Sequence, residues 1–327
     1  MVSITPIFFS ITMADMEEGK RAFSIFAAKR AWLNVLLFAV TAISTFVVGF
    51  SWSIGYKYAE LFSQDPDMVP DPGMILNPEI VVLSLIYTVV LLGILLGHEL
   101  GHFLACQHYR IDATLPYFIP APTLIGTMGA FIKIRSPITK KRQLFDIGIA
   151  GPLTSFILSL PAIVLGLFLS KAVPSFPDEE SILFGDPLIF KWVGSLFFKG
   201  TPESFDIVPH PIAFAGWVGI LVTALNLFPV GQLDGGHVVY ALFGKKSLKL
   251  APYIIGIFVV LGIFFWIGWF VWALLIYFLG LKHPHILDED IPLSPNRKLL
   301  SALVLIIFIV SFTPEPIMGY NLFDLLS

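Results

Sequence analysis

Long stretches without a charged side chain constrain the fold of this chain more than any other feature of its sequence. Residues 31–53, 148–170 and 251–281 contain no Asp, Glu, Lys or Arg. A helix of about 20 apolar residues crosses the hydrocarbon core of a bilayer, so each stretch is long enough to do so. The composition agrees, because 56% of the 327 residues are hydrophobic and only 13% are charged. The sequence therefore predicts a multi-pass membrane protein.

Four membrane spans are clear in this pattern, and two further regions are ambiguous. The clear spans are Ala31 to about Ser53, Ile80 to about Cys106, Gly148 to Ser170, and Ile212 to Pro229. Residues 251–281 are longer than one span and short for two, so we expect a tight hairpin broken near Gly262 or Gly268. The segment from Leu299 to Thr313 is short for a perpendicular crossing, but a thinned bilayer can accommodate it.

Lysine and arginine residues set the expected orientation, since cytoplasmic loops carry an excess of them. Basic clusters precede the first span, separate the second from the third and follow the fourth: Lys20, Arg21, Lys29, Arg30, Arg110, Lys133, Arg135, Lys140, Lys141, Arg142, Lys245, Lys246 and Lys249. Loop 54–78 has one lysine and four acids, and loop 171–211 has six acids. We therefore expect the N-terminus, residues 103–147 and residues 230–250 in the cytoplasm.

A histidine motif, His98-Glu99-Leu100-Gly101-His102, stands near the end of the second span. Residues four apart share a helix face, so His98 and His102 can bind one zinc ion while Glu99 reaches a water molecule on the metal. Ionisable side chains inside a membrane cost roughly 2.5 to 3.5 kcal/mol each on insertion scales. A bound metal would compensate that cost, which makes the motif far more informative here than in a soluble chain.

A hydrolytic zinc site needs a third protein ligand, and Asp234 is the best candidate. It lies in Asn226-Leu-Phe-Pro-Val-Gly-Gln-Leu-Asp-Gly-Gly-His237, directly after an apolar span. The proline and glycines of this segment break a helix, and irregular backbone at membrane depth is tolerated only inside protein or beside a water cavity. The other histidines are less suitable, because His108 is off the helical face of His102, and His210, His283 and His285 lie in expected loops.

The two motifs together resemble the site-2 protease family of intramembrane zinc metalloproteases. The resemblance rests on His98-Glu99-x-x-His102 in one span and Asn226-x-x-Pro229-x-x-x-x-Asp234-Gly235 in a later one, and it runs from about Ile80 to Phe243. It implies that His98, His102 and Asp234 bind one zinc ion. It also implies that Glu99 is the general base and acid, and that Asn226 holds the scissile peptide or its oxyanion. The implied substrate is a transmembrane protein.

Two further stretches fit this resemblance. Residues 126–135 have the glycines and alternation of a strand and resemble the family's β-loop near the active site, although a cytoplasmic surface hairpin would look similar. Gly151, Ser155 and Ser159 recur every four residues, which lets helices approach closely. The family often has Gly-Pro-x-x-Asn where this chain has Gly151-Pro-Leu-Thr-Ser155.

The subgroup is narrowed by the short loops and by residues 116–120. No loop exceeds about 45 residues, which leaves too little room for an inserted domain such as PDZ, and we expect no CBS pair after the last span. The Pro116-Tyr-Phe-Ile-Pro120 stretch and the compact core resemble prokaryotic relatives of the chloroplast members. Substrate recognition is then expected to come from the transmembrane bundle or from a partner.

Other classes fit the sequence less well. A membrane metal-ion transporter is the main alternative, since buried His and Asp also mark ion pathways. A di-iron hydroxylase needs more histidine boxes, and a zinc prenyl-protein protease takes glutamate as its third ligand. The net charge of −3 gives no support for nucleic-acid binding, and the single cysteine, Cys106, excludes an internal disulfide.

These observations predict an all-α polytopic membrane protein with six or seven transmembrane helices and a membrane-associated β-hairpin near the active site. Its parts are a cytoplasmic N-terminal segment (1–30), a first span and outside loop (31–78), a catalytic transmembrane core (79–243) and a C-terminal transmembrane region (244–327). We expect it in the cell membrane, in contact with the lipid bilayer and with a transmembrane protein substrate.

Overall fold

The computed structural model describes residues 31–65, 67–175, 183–202, 204–279, 286, 288 and 291–326. Its helices are α1 (Ala31–Lys57), α2 (Ala59–Gln64), α3 (Pro72–Ile75), α4 (Pro78–His108), α5 (Lys141–Phe168), α6 (Leu188–Phe197), α7 (Pro211–Asn226), α8 (Asp234–Phe243), α9 (Ala251–Phe264), α10 (Gly268–Leu279), α11 (Pro295–Ser311) and α12 (Leu322–Leu326). The strands are β1 (Tyr117–Pro120), β2 (Thr127–Phe131), β3 (Lys171–Pro174) and β4 (Phe205–Val208), and a 3₁₀ helix (Gly244–Leu250) joins α8 to α9.

Four helical segments are long and apolar enough to cross a membrane. They are Ala31–Lys57, Pro78–His108, Lys141–Phe168, and Asp234–Phe264, which includes α8, the 3₁₀ turn and α9. The helices α6, α7 and α10 are shorter and also apolar. These apolar helices support the prediction of a polytopic membrane protein. The count of six or seven spans stays a prediction. The predicted cytoplasmic segment 1–30 lies outside the described residues.

Side-chain contacts define two opposite ends of the bundle. At one end, called here the Glu79 end, Lys57 at the end of α1 forms an ion pair with Glu79 at the start of α4. At the other, the Arg297 end, Arg297 of α11 donates two hydrogen bonds of 2.8 and 2.6 Å to Asp146 near the start of α5. Asp146 also accepts a hydrogen bond from Tyr109, which follows α4. These contacts fix the directions of α1, α4, α5 and α11.

Small residues let α4, α5 and α7 pack closely at the centre of the molecule. A Cβ atom at Gly101 of α4 would lie 2.6 Å from the carbonyl oxygen of Ala150 in α5. A Cβ atom at Gly166 of α5 would lie 2.1 Å from the backbone nitrogen of Ala213 in α7. Such close approach is typical of helices that pack in membranes. It brings α4, which carries the histidine motif, into direct contact with α5, and α5 into direct contact with α7.

The hairpin of β1 and β2 lies alongside α1. The side chain of Asn34 donates to the carbonyl oxygen of Pro116, 2.9 Å away, Ser44 donates to that of Gly126, and Trp52 donates to that of Leu124. Positions 34 and 52 are about 27 Å apart along a helix. Tyr87 of α4 also donates to Ile125 at the hairpin turn. The predicted strand in 126–135 is confirmed as β2, and its place against two apolar helices disfavours the alternative of a surface hairpin.

A second small sheet makes the fold mostly helical rather than all-α. Strands β3 and β4 pair antiparallel, with Lys171 opposite Val208 and Pro174 opposite Phe205. Together with α6 they occupy the region predicted only as a long outside loop, 171–211. Each strand has four residues and about thirty residues separate them, so no local alternation predicted this pairing.

The described part of the uncharged stretch 251–281, which ends at residue 279, forms two helices, as predicted for a hairpin. Helix α9 ends at Phe264 and α10 begins at Gly268, so the break lies at residues 265–267. The turn is held by the backbone N–H of Ile267, which donates to the carbonyl oxygen of Tyr320, and by the indole of Trp269, which donates to that of Pro314. The hairpin is therefore anchored to the segment after α11.

Candidate metal centre

Three predicted ligands meet at the junction of α4, α5 and α8. The Nε2 atoms of His98 and His102 are 3.1 Å apart. The Oδ2 atom of Asp234 lies 3.3 Å from Nε2 of His98 and 3.2 Å from Nε2 of His102. The two histidines are buried, and Asp234 is largely buried at the first position of α8. Among the described residues these three side chains form a group that could hold a metal ion.

The separations of these three atoms fit a tetrahedral zinc ion. Nitrogen and carboxylate ligands lie about 2.0–2.2 Å from zinc. At a tetrahedral angle, ligand atoms at that distance are roughly 3.3–3.6 Å from each other. The observed separations of 3.1, 3.2 and 3.3 Å are close to this range. Three protein ligands would leave the fourth position open, as in hydrolytic zinc sites.

The position of the proton on His102 also indicates that a cation binds at the site. Nδ1 of His102 lies 2.8 Å from the carbonyl oxygen of Ile147 in α5. Because a carbonyl oxygen only accepts, Nδ1 must carry the proton, and the neutral ring then presents a lone pair at Nε2. That lone pair faces the carboxylate oxygen of Asp234, which is also an acceptor. Two acceptors at 3.2 Å need a cation between them, either a metal ion or an extra proton.

Glu99 and Asn226 border a cavity beside the ligands. The cavity has a volume of about 390 Å³, and its lining residues are mostly apolar. His98 and Glu99 of α4, Thr127–Ala130 of β2 and Asn226 at the end of α7 contribute to the wall. The carboxylate of Glu99 is buried and interacts with the backbone N–H of Ile132, just after β2. The β-hairpin and the two predicted catalytic side chains therefore share one cavity.

A tight turn returns the chain from α7 to Asp234. Gly231 has a φ of 62°, a conformation that glycine adopts readily. A Cβ atom at Gly235 would lie 2.0 Å from the carbonyl oxygen of Leu227, and one at Gly236 would lie 2.5 Å from that of Gly231. Side chains at 235 and 236 would thus prevent the turn. The predicted helix break before Asp234 is confirmed, and its glycines are required by packing.

The remaining described histidines, His108, His210 and His237, are outside the group of three candidate ligands. His108 is the last residue of α4, and its ring packs on Tyr109. His210 caps the start of α7, where its Nδ1 accepts from the backbone N–H of Ile212. Burial, with a smaller effect of Lys171, lowers the pKa of His210 to about 4, which keeps this nitrogen free to accept. His237 lies one turn after Asp234, beside Gly148. The positions of His283 and His285 are outside the described residues.

The sequence did not reveal which groups support the ligands. His102 depends on a backbone carbonyl, and Nδ1 of His98 lies 3.1 Å from the hydroxyl of Ser155. In the sequence, Ser155 stands out only as a small residue in a packing stripe and as a departure from the asparagine that the family often has there. Trp266 and Trp272, which line the cavity from the α9–α10 hairpin, were not predicted either. No local pattern identifies such contacts, because they depend on how distant helices pack.

The chain matches the family model described as peptidase family M50 over residues 86–268. It is similar to "Probable zinc metalloprotease EGY1, chloroplastic" of Arabidopsis thaliana, with 32% identity over 291 residues, 86% of this chain and 53% of that protein. It is 34% identical over 224 residues to the protein of the same name from Oryza sativa subsp. japonica, covering 66% of this chain and 38% of the relative. "Probable zinc metalloprotease EGY2, chloroplastic" of Arabidopsis thaliana is 28% identical over 223 residues, 68% of this chain and 39% of the relative. The chain thus spans about half or less of the length of these relatives.

Proposed function

This chain belongs to peptidase family M50, and we propose that it is an intramembrane zinc endopeptidase that hydrolyses peptide bonds of membrane-spanning proteins. The family membership agrees with the resemblance seen in the two sequence motifs. The proposal concerns the activity, the metal and the substrate class.

The observation that carries the proposal is the convergence of three ligand atoms beside a buried glutamate. His98, His102 and Asp234 present their atoms at separations suited to one tetrahedral ion. Glu99 directly follows His98 and faces the adjoining cavity. A structural role in packing would require neither this triangle of candidate ligand atoms nor a fourth ionisable group beside it.

Each residue then has a defined task. His98, His102 and Asp234 would hold zinc, which when bound lowers the pKa of water and polarises a carbonyl group. Glu99 takes the proton from the attacking water and returns it to the leaving amine. Asn226, which lines the cavity, would donate a hydrogen bond to the developing oxyanion. The apolar wall of the cavity limits access of bulk water to the reacting peptide.

A substrate helix must open before it can be cut, because its peptide groups are engaged in helical hydrogen bonds. In an apolar cavity the opened segment needs new partners for its backbone. Strand β2 lines the same cavity and pairs on one side with β1. We therefore place the opened substrate along the other edge of β2, as an added strand.

The bilayer is the expected environment of this reaction. The apolar helices support a membrane location, and the named relatives are chloroplastic proteins. Location in a cell membrane and a cytoplasmic N-terminus remain predictions from the distribution of Lys and Arg.

Replacement of Glu99 tests the proposal. The full chain is purified, placed in lipid vesicles and incubated with labelled single-span model proteins, while zinc is measured by mass spectrometry. Glu99→Gln should slow hydrolysis by at least about 10²-fold, because general acid–base catalysis contributes that much. It should keep close to one zinc per chain, whereas Asp234→Ala should lose zinc.

Glu79→Gln is the matched control, because Glu79 lies on the same helix but is exposed and pairs with Lys57 at the opposite end. This variant should cleave normally. Full proteolysis by Glu99→Gln would refute the catalytic assignment. Zinc flux across the vesicle membrane without any cleavage would instead support the transporter alternative.

A further inference from the structure

His98 is held by a hydroxyl group and not by a backbone carbonyl. Its Nδ1 atom lies 3.1 Å from Oγ of Ser155 in α5. Both side chains are buried, with exposed fractions of 3% for His98 and 1% for Ser155. A hydroxyl can donate or accept, so this contact alone leaves the position of the imidazole proton open.

A third residue settles the direction of this contact. Oγ of Ser155 lies 2.8 Å from Oγ1 of Thr223 in α7, and Oγ1 of Thr223 donates to the carbonyl oxygen of Gly219, 2.7 Å away. Each hydroxyl has one proton. Thr223 uses its proton on the carbonyl, so both short contacts are satisfied only if Ser155 donates to Thr223. A weaker contact of 3.2 Å to the carbonyl oxygen of Pro152 would also consume the proton of Ser155. In either case Ser155 accepts from His98.

We propose that Ser155 and Thr223 are positioning residues that hold the proton of His98 on Nδ1 and so keep Nε2 open for the metal. The hydrogen bonds run from His98 Nδ1 to Ser155, from Ser155 to Thr223, and from Thr223 to the carbonyl oxygen of Gly219. This inference rests on the proposed function, because it concerns the same metal centre. It assigns to Ser155 a role at the position where the family resemblance would place an asparagine.

The close packing of α7 against α4 and α5 supports this role of Ser155 and Thr223. A Cβ atom at Gly219 would lie 2.3 Å from Oγ of Ser159 and 2.8 Å from a side-chain carbon of Ile94. The absence of a side chain at 219 therefore lets α7 come close enough for Thr223 to reach Ser155. The chain of hydrogen bonds connects α4, α5 and α7 directly behind the ligand. Removing a group that orients a metal-binding histidine in this way typically weakens metal binding 10- to 100-fold.

The test measures zinc affinity of the purified full chain by competition with a chromophoric chelator, and the visible spectrum of the cobalt-substituted protein. Ser155→Ala removes the acceptor and should weaken zinc binding by roughly 10- to 100-fold, with a changed cobalt spectrum. Thr223→Val removes the second hydroxyl at nearly constant shape and should give a smaller loss. Thr223→Ser retains the hydroxyl and should restore affinity to that of the parent.

Ser159→Ala is the matched control. Ser159 lies one turn further along α5, is equally buried, and donates to the carbonyl oxygen of Ser155. It should leave the zinc affinity and the cobalt spectrum unchanged. If Ser155→Ala and Thr223→Val both behave like Ser159→Ala, the proposal is wrong. If Ser155→Ala does not fold, the difference between Thr223→Val and Thr223→Ser decides.

The same measurements separate this proposal from the proposed function. A parent protein that binds no zinc would overturn both. A parent that binds zinc and needs Glu99 for cleavage, with unaltered affinity in the Ser155 and Thr223 variants, would overturn only the positioning role.

Discussion

At the scale of single residues, Gly151 leaves room for a ligand of the metal centre. It lies on α5 opposite His102, and a Cβ atom at this position would be 2.2 Å from Nε2 of the histidine. That nitrogen is the one directed at Asp234. A methyl group would therefore occupy the space of the ligand atom itself, which explains why the helix tolerates a glycine there despite its low helix propensity.

Replacing Gly151 with alanine should disrupt the metal centre. We expect Gly151→Ala to displace the ring of His102 and to weaken zinc binding at least about tenfold, as for other changes that misorient a ligand. Gly93→Ala on α4 is the control, because no atom lies within 4 Å of a Cβ atom there. Chelator competition on both purified variants checks this. Equal zinc affinity of the two variants would show that the α4–α5 contact is looser than the structure indicates.

The ligands could be predicted from sequence, but their supports could not. His98 and His102 are four residues apart on one helix, so local geometry alone places them together. Asp234 needed a second clue, the helix-breaking turn at membrane depth. Ser155 and Thr223 lie 57 and 125 positions from His98, and hydroxyl residues are common in packed membrane helices. Only the packing of three helices distinguishes these two from other small polar residues.

At the scale of elements, the β-hairpin offers a defined edge to the cavity. The backbone of Lys133 faces the β1 side, since its carbonyl accepts from the N–H of Thr114 and its N–H donates to Oγ1 of Thr114. The N–H of the preceding residue, Ile132, points the other way and interacts with Glu99. Backbone directions alternate along a strand, so the N–H of Ala130 faces the same free edge as that of Ile132.

Ala130→Pro should therefore impair cleavage selectively. Proline removes the N–H that an added substrate strand would use. Loss of one such hydrogen bond, worth about 0.5–1.5 kcal/mol, should lower the cleavage rate roughly three- to tenfold with zinc retained. Ala130→Val keeps the N–H and is the control. Rates on a labelled single-span protein check this, and equal rates for the two variants would place substrate recognition elsewhere. Ile132→Pro is a poorer test, because it also removes the donor to Glu99.

Sequence patterns predicted the long apolar helices better than the short strands. Long uncharged stretches gave the apolar helices because burial in lipid leaves a continuous signal. The hairpin break in 251–281 was predicted near Gly262 or Gly268 and lies at 265–267, just before the second of these glycines. The strands β3 and β4 gave no signal, since four-residue strands far apart in sequence are defined only by the fold around them.

At the scale of the whole molecule, charge is distributed unequally between the two ends. The Arg297 end carries the basic residues near the starts of α5 and α11: Lys140, Lys141, Arg142, Arg297 and Lys298. Lys245 and Lys246 belong to this end as well, because they follow the end of α8, which packs against the start of α5. Acidic residues dominate the opposite Glu79 end, between α1 and α4: Glu60, Asp65, Asp67, Asp71 and Glu79. The fold thus collects at one end basic residues that are widely separated in sequence, which is the asymmetry that orients membrane proteins.

Cysteine labelling should show these two ends on opposite sides of a membrane. Cys106 is buried and is first replaced with alanine. In that background, Gln64→Cys at the Glu79 end should react with a membrane-impermeant maleimide in intact bacterial cells that express the chain. Lys246→Cys, next to α8, should react only after the membrane is permeabilised, because the excess of basic residues predicts that this end faces the cytoplasm. Reversed labelling would refute the orientation and leave the fold intact. Reaction of both cysteines from one side would contradict the arrangement of the helices, since α4 alone, at 31 residues and about 46 Å, is long enough to separate the two ends across a bilayer.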